Sequence, residues 1–330
     1  MKVLKTPQSR CGAAVVRGDI TPPIGIYHRM WGAALHDRAT GVHRPLEATL
    51  LWLEPLLPAL GDPQILLGLD HCILDAQELN GIRNAIHEAT GVPYANILVS
   101  MSHTHGAGWM SRTRSDLPGG ELLAPYLDQL AVQMAELACR ARSKIVAATI
   151  VYGQGRCDLA AHRDYFDEQG DRFVCGFNPT GQADDTLMIA QITDASGTSL
   201  ATVVNYDWVG SMREVIEQQN GGLCLFLQGA SGDLGPREGF VGDTSIADRN
   251  GRKVGFAALP LLRPGPFGYC NRYLEASGTF GRRAGSTNSL AMEGVTRRAP
   301  LQARPTDDRA DDIAARALAC RRVDRARCER

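Results

Sequence analysis

Two histidines one residue apart, His103 and His105, close the apolar run Asn96-Ile97-Leu98-Val99-Ser100-Met101-Ser102, and Gly106 and Gly108 follow at once. Imidazole coordinates zinc and titrates near neutral pH, so the pair suits metal binding or proton transfer. The run is short, apolar and preceded by Gly91 and Pro93, and reads as a buried strand. Side chains two apart on a strand share a face, so both rings are expected to project from the strand end into a Gly-lined opening. A bare His-x-His also occurs as a plain surface pair, so the spacing needs context. Among the other histidines, His87 falls on a helix surface and His71 follows the strand end Leu69-Asp70 in a loop. His162-Arg163 precedes a polar segment, and no histidine occurs after His162.

A second block with chemical potential is Gly229-Ala230-Ser231-Gly232-Asp233-Leu234-Gly235. It follows the apolar run Leu223 to Gln228, and its backbone N–H groups could hold an oxyanion or a head group. A tight turn needing positive φ explains the glycines equally well. Ser231 does not sit in a Gly-x-Ser-x-Gly elbow, so a serine hydrolase is not expected.

The elements that must position these residues alternate. Strands are expected at Gln64–Asp70, at the run before His103, and at 145–153, 186–193, Ser199–Tyr206 and Leu223–Gln228. Helices are expected at Ala76–Thr90, where Gly91 is the stop, at 122–142 and at 209–219. This order implies an α/β fold with a mixed central sheet flanked by helices.

The chain has 330 residues, 44% hydrophobic, with a net charge of -1. That describes a globular protein with a full core, and the balanced charge gives no reason to expect a nucleic-acid partner. Nine cysteines without a Cys-x-x-Cys pair read as reduced thiols, Cys72 among them, in a cytoplasmic protein. Residues 1–8 carry no apolar signal-peptide core, and no apolar run reaches membrane-spanning length.

Several blocks resemble the neutral/alkaline (non-lysosomal) ceramidase family. They are Arg17-Gly18-Asp19-Ile20-Thr21-Pro22-Pro23-Ile24-Gly25, Ala39-Thr40-Gly41-Val42-His43-Arg44-Pro45-Leu46, and 97–106, where Ser102 replaces the first Thr of Thr-His-Thr-His-Ser-Gly. Asn178-Pro179-Thr180-Gly181, Val203-Val204-Asn205-Tyr206 and 227–236 add to them. The resemblance spans about residues 12 to 260. It implies a zinc-dependent hydrolase of N-acyl amide bonds, with ceramide-like lipids as substrate and peripheral membrane contact conceivable. It implies His103 as a metal ligand and His105 as the group that orients or protonates the reacting atoms. It places Arg163 near the substrate and His43 near the site, His43 being the first candidate for a further ligand. Gly229, Ser231, Gly232, Asp233 and Gly235 are the substrate-binding candidates.

The chain also departs from the family. Asn205-Tyr206 runs straight into Asp207-Trp208, where the family has an Asn-Tyr-x-Cys-His-Pro block, as if the Cys-His-Pro piece were excised. A histidine ligand goes with it. The family's downstream Glu and Tyr ligands find no counterpart, and Gly235 stands where the resemblance would place a site serine. Residues 263–330 hold 14 arginines, no lysine and eight acidic residues. They read as a poorly ordered basic arm or as an altered reading frame, distinct from a catalytic unit over 1–262. The expectation is weak, substoichiometric zinc and impaired amidase activity. The alternative is an inactive relative that serves as a binding protein or is a non-functional fragment. Oligomeric state is left open.

Overall fold

The structure, a computed structural model, describes residues 8–30, 35–58, 61–176, 178–206, 211–239 and 241–262. The expected break after Tyr206 abuts residues 207–210, and the Arg-rich tail is 263–330; both segments lie outside the described residues.

In chain order the chain forms β1 (Gln8–Asp19), β2 (Glu47–Glu54), β3 (Gln64–Leu69), β4 (Ile73–Leu74), α1 (Ala76–Thr90), β5 (Ile97–Met101) and β6 (Trp109–Met110). There follow α2 (Leu123–Arg142), β7 (Val146–Arg156), β8 (Ala160–His162), β9 (Asp164–Asp167) and β10 (Arg172–Cys175). The chain continues with β11 (Thr186–Asp194), β12 (Ser199–Tyr206), α3 (Met212–Asn220), β13 (Leu223–Gln228), β14 (Leu234–Pro236) and α4 (Thr244–Leu262). Eight strands make one mixed sheet in the order β13-β12-β11-β7-β1-β2-β3-β5. The fold is α/β with a mixed central sheet, as the alternation of elements implied.

Both ends of the sheet are parallel pairs closed by a helix: β3 with β5 through α1, and β12 with β13 through α3. Parallel neighbours require such a crossover. α1 buries Ile82, Ala85, Ile86 and Ala89 and stops at Gly91, whose φ of 75° caps the last turn while its N–H donates to His87 O at 2.7 Å. α2 buries Leu123, Leu127, Leu130, Met134 and Leu137. Each such side chain contributes about 1.5–3 kcal/mol on burial.

The two-residue period of the strands divides the core into layers. In β2, Leu50 and Trp52 face the cluster under α1 and α2, whereas Leu51 between them faces a second cluster shared with Ala13, Ala148, Ile192, Ala201 and Leu225. In β13, Leu225 joins that shared cluster, and Cys224 and Phe226 pack under α3 and α4. The sheet is therefore folded over, its two parallel ends meeting across a common interior with helices outside each. The two halves approach closely at Gly68 of β3, where a Cβ would lie 2.6 Å from Leu225 Cδ1 and 3.1 Å from Phe226 O. Only glycine fits there without displacing β13.

The elements not anticipated are β1, β2, the β9–β10 hairpin, α4 and the short strands β4, β6, β8 and β14. No helix among the described residues is long and apolar enough to cross a membrane.

Candidate functional site

Ligands in open α/β sheets bind beyond the carboxyl ends of parallel strands. Here both parallel pairs deliver their carboxyl ends to one cleft, because the sheet is folded. Ser102 to Gly106 follow β5, Tyr206 ends β12, and Gln228 and Ser231 end and follow β13; all line a cleft of about 480 Å³. That volume lies within the usual small-molecule range. Leu159, Leu234, Pro236, Val241, Ile246 and Ala247 supply apolar wall, with Arg163, Glu238 and Asp243 as charged lining groups.

The histidine pair converges by a different route from the one its spacing suggested. β5 ends at Met101, so the strand-face rule no longer holds at 103 and 105. His103 instead adopts a left-handed φ of 57°, uncommon for a residue with a Cβ and a sign of local strain. The turn brings the two ring centroids to 5.4 Å at a tilt of 60°. Two backbone bonds lace this turn to the segment after β3: Ser102 N donates to Leu69 O at 2.8 Å and His103 N to His71 O at 3.0 Å. Cys72 is thereby brought beside the pair. Cys72, His103 and His105 each offer one donor atom, all within 4.8 Å of one another. A thiol and two imidazoles match the ligand preferences of zinc.

Burial is the main cause that lowers both imidazoles from their ordinary pKa; the charge of Arg163 adds to it at His103, and His103 and then Arg163 add to it at His105. Near neutral pH both rings are therefore uncharged and can act as lone-pair donors. Burial pushes the Cys72 thiol up to about 11, so without a cation beside it the group stays protonated.

Arg163 lines the same cleft and anchors the glycine-rich loop. Its N–H donates to Asp233 O at 2.8 Å, and its Nε and Nη2 donate to Gly232 O at 3.1 and 2.8 Å. β14 pairs with β8 through Leu234↔His162 and Gly235↔Ala161, which fixes the loop against Arg163. Of the five loop candidates, Ser231 and Gly235 line the cleft; Gly229, Gly232 and Asp233 do not. The N–H groups of Gly229, Ser231 and Leu234 donate to Tyr206 O, Gly229 O and Ser231 O, so these three are committed to holding the turn. None of Gly229, Gly232 and Gly235 has positive φ, so their role is not the left-handed turn that composition also allowed.

His43 belongs to a separate cluster. Its Nε2 lies 3.2 Å from Asp248 Oδ2 of α4, and Arg44 Nε donates to Asp248 Oδ1 at 2.9 Å. It is not part of the donor group around His103. His87, exposed on α1, bonds Val92 O through Nδ1 at 2.7 Å, and His162 faces Asp233 at 3.4 Å. His71 is fully buried with Nε2 2.6 Å from Tyr126 Oη. Tyr126 spends its one proton on Ile20 O, so Nε2 of His71 carries the proton in that bond.

Sequence reasoning missed Cys72, Tyr206 as cleft lining, and the N-terminal end of α4. A strand–helix–strand order was visible for β3-α1-β5, and parallel pairing across it sets the residues after β3 beside those after β5. That was the available signal for Cys72. For α4 the signal was Asp243, whose Oδ1 accepts from Ser245 N at 2.9 Å at the helix start.

Among solved structures the chain is similar to neutral ceramidase from Pseudomonas aeruginosa, with a TM-score of 0.59 and 17% identity, covering 77% of this chain and 44% of that one. A ceramidase complexed with C2 gives a TM-score of 0.62 and 16% identity, again over 77% and 44%. The fold is ceramidase-like. No family model and no curated protein matches the sequence. The chain spans less than half the length of the ceramidase chains that it resembles.

Proposed function

We propose that the cleft is the site of a zinc-dependent amidohydrolase acting on N-acyl amides with a long apolar arm, ceramide-like lipids being the model substrates. The convergence of His103, His105 and Arg163 on one largely apolar cleft carries this reading. The likeness of the fold to neutral ceramidases supports it. Zinc bound here would polarise the amide carbonyl and lower the pKa of its water toward ~7.

The chain's own residues divide the remaining work. His103 offers a neutral imidazole as ligand, and His105, also neutral, can accept a proton or coordinate. The Arg163 guanidinium, held in place by Gly232 O, presents positive charge to the carbonyl oxygen or to a polar head. Leu159, Leu234, Val241 and Ile246 exclude water and take the acyl chain. The Tyr206 hydroxyl donates to Cys157 O, so it shapes the wall and does not serve as the proton source.

Turnover is expected to be slow, since no histidine follows His162 to stand in for the family's second ligand. The test is hydrolysis of short- and long-chain N-acyl amides with added zinc, comparing the chain with His103→Ala. Zinc-dependent turnover that the variant loses, and that favours the longer acyl chain, supports the proposal. Saturable binding of the amides without turnover in either protein points to a binding protein and overturns it.

A further inference from the structure

We infer that Cys72 is a metal ligand, its thiolate joining the imidazoles of His103 and His105 in a three-donor site whose fourth position opens into the cleft. The inference rests on the metal-dependent reading above and specifies which atoms hold the ion.

Three observations support it. The first is proximity: the three donor atoms fall within 4.8 Å of one another, and among the described residues no other three His, Cys, Asp or Glu side chains do so. Tetrahedral zinc at about 2.3 Å from sulfur and 2.0–2.1 Å from nitrogen needs donors about 3.3–3.6 Å apart, more than an ångström inside that limit, so the side chains must close in by rotation as the ion binds. The second is preorganisation. The bonds from Ser102 N to Leu69 O and from His103 N to His71 O fix the two loops against each other, and His103 keeps a strained left-handed backbone where the turn presents its ring. The third is the arrangement about the cleft. Both imidazoles line the cleft and Cys72 does not; Cys72 is 5% exposed and belongs to none of the three apolar core clusters. The thiolate therefore sits at the back, the imidazoles at the front, and the remaining coordination position faces the substrate space. Three protein ligands with an open fourth position is the pattern of a catalytic zinc site.

Binding replaces the S–H bond with a metal–sulfur bond and releases one proton to solvent. On this assignment His105 coordinates instead of carrying the proton, and zinc binds one to one in place of the weak, substoichiometric zinc that the missing histidine suggested.

The test uses cobalt(II) and zinc with the full chain. One equivalent of cobalt(II) should produce thiolate-to-metal charge-transfer absorption in the near ultraviolet. Cys72→Ser should lose that band and weaken cobalt binding by about 10-fold to 100-fold or more. X-ray absorption of the zinc-loaded native chain, which needs no variant, should show one sulfur neighbour. Only nitrogen and oxygen neighbours, or no stoichiometric metal on the folded native chain, would overturn the assignment. N-acyl amide hydrolysis measured on the same samples separates the two ideas. A sulfur-ligated metal without turnover keeps Cys72 and sinks the hydrolase reading, whereas turnover with only nitrogen and oxygen neighbours does the reverse.

Discussion

Arg213, at the start of α3, meets Asp70, at the end of β3, in a two-pronged pair: Nη1 to Oδ2 at 2.6 Å and Nη2 to Oδ1 at 2.7 Å. Both side chains are about nine-tenths buried, at 11% and 8% exposure. Burial pushes the Asp70 carboxyl up, and Arg213, the Glu47 N–H and Ser102 more than reverse this, holding it below the usual carboxylate range. Around the pair, Arg17 reaches Glu47 at 3.2 Å and Glu217 of α3, so two arginines tie α3 to β1, β2 and β3. Asp70 is two residues from Cys72, so the network also braces the floor of the site.

Removing either partner strands a buried charge. Arg213→Ala and Asp70→Ala should each cost about 3–5 kcal/mol, nearer the lower figure for Asp70→Ala because Glu47 remains 3.6 Å from Arg213. Urea unfolding of both single variants and of Asp70→Ala/Arg213→Ala checks this. The double variant should lose less than the sum of the singles. Additive losses would mean that the pair does not act as a unit.

Gly68→Val should destabilise by about 1–3 kcal/mol through overpacking against Leu225 and Phe226. Gly81→Ala, a helical site with nothing within 4 Å of its Cβ, is the control and should be neutral or stabilising by up to about 1 kcal/mol. Equal midpoints for the two variants in a thermal melt would contradict the close packing of β3 against β13.

The left-handed backbone at His103 carries a cost that glycine would relieve. His103→Gly should be more stable than His103→Ala by about 1 kcal/mol, both lacking the ring. Denaturant titration of the two side by side decides it. A more stable alanine variant would show that the turn is not strained in solution.

His43 and Asp248 supply a pH test away from the cleft. The hydrogen bond from Arg44 leads in holding the Asp248 carboxyl below its ordinary pKa, burial opposes it, and His43 adds to the lowering. A depressed carboxylate contributes stability above its unfolded pKa of about 3.9 and loses it as pH falls through the folded value. Asp248→Asn should therefore be less stable than the native chain at pH 7, by about 1 kcal/mol or less, with the gap closing in more acid solution. His43→Ala should leave cobalt binding unchanged. A loss of metal in that variant would return His43 to the ligand set.

Legibility followed the local pattern. β12 and β13 run as the sequence suggested, and α1 spans Ala76–Thr90 because its apolar residues repeat at helical spacing up to a capping glycine. β1 and β2 lack simple alternation because both of their faces are buried, one under α1 and α2 and the other against the far half of the sheet. α4 carries Pro260, Gly251 and Gly255, residues that weaken a local helical pattern; Gly255 is there because a Cβ would lie 2.7 Å from Val215 of α3. At the site, the histidine pair was visible as a motif, but its geometry comes from a turn and not from strand alternation. Cys72 looked like any buried thiol, since its neighbours lie across a parallel pairing. His43 carried a family-like motif, yet its nearest partner sits in a helix that no local pattern revealed.

The closure of the sheet on itself also has a kinetic meaning. The cleft draws its lining from residues 102–106, from Leu159, Ala160 and Arg163, from Tyr206, Gln228 and Ser231, and from the stretches 234–239 and 241–247, segments that share no local contact in an extended chain. Helices α1 and α2 can consolidate on β1–β5 early, whereas the cleft takes form only after β13 has closed against β3. Distant pairings of this kind are slow, because loop-closure entropy must be overcome before their contacts stabilise anything. Ligand-competent protein should therefore be the last species to appear during refolding, well after most of the helical signal has returned.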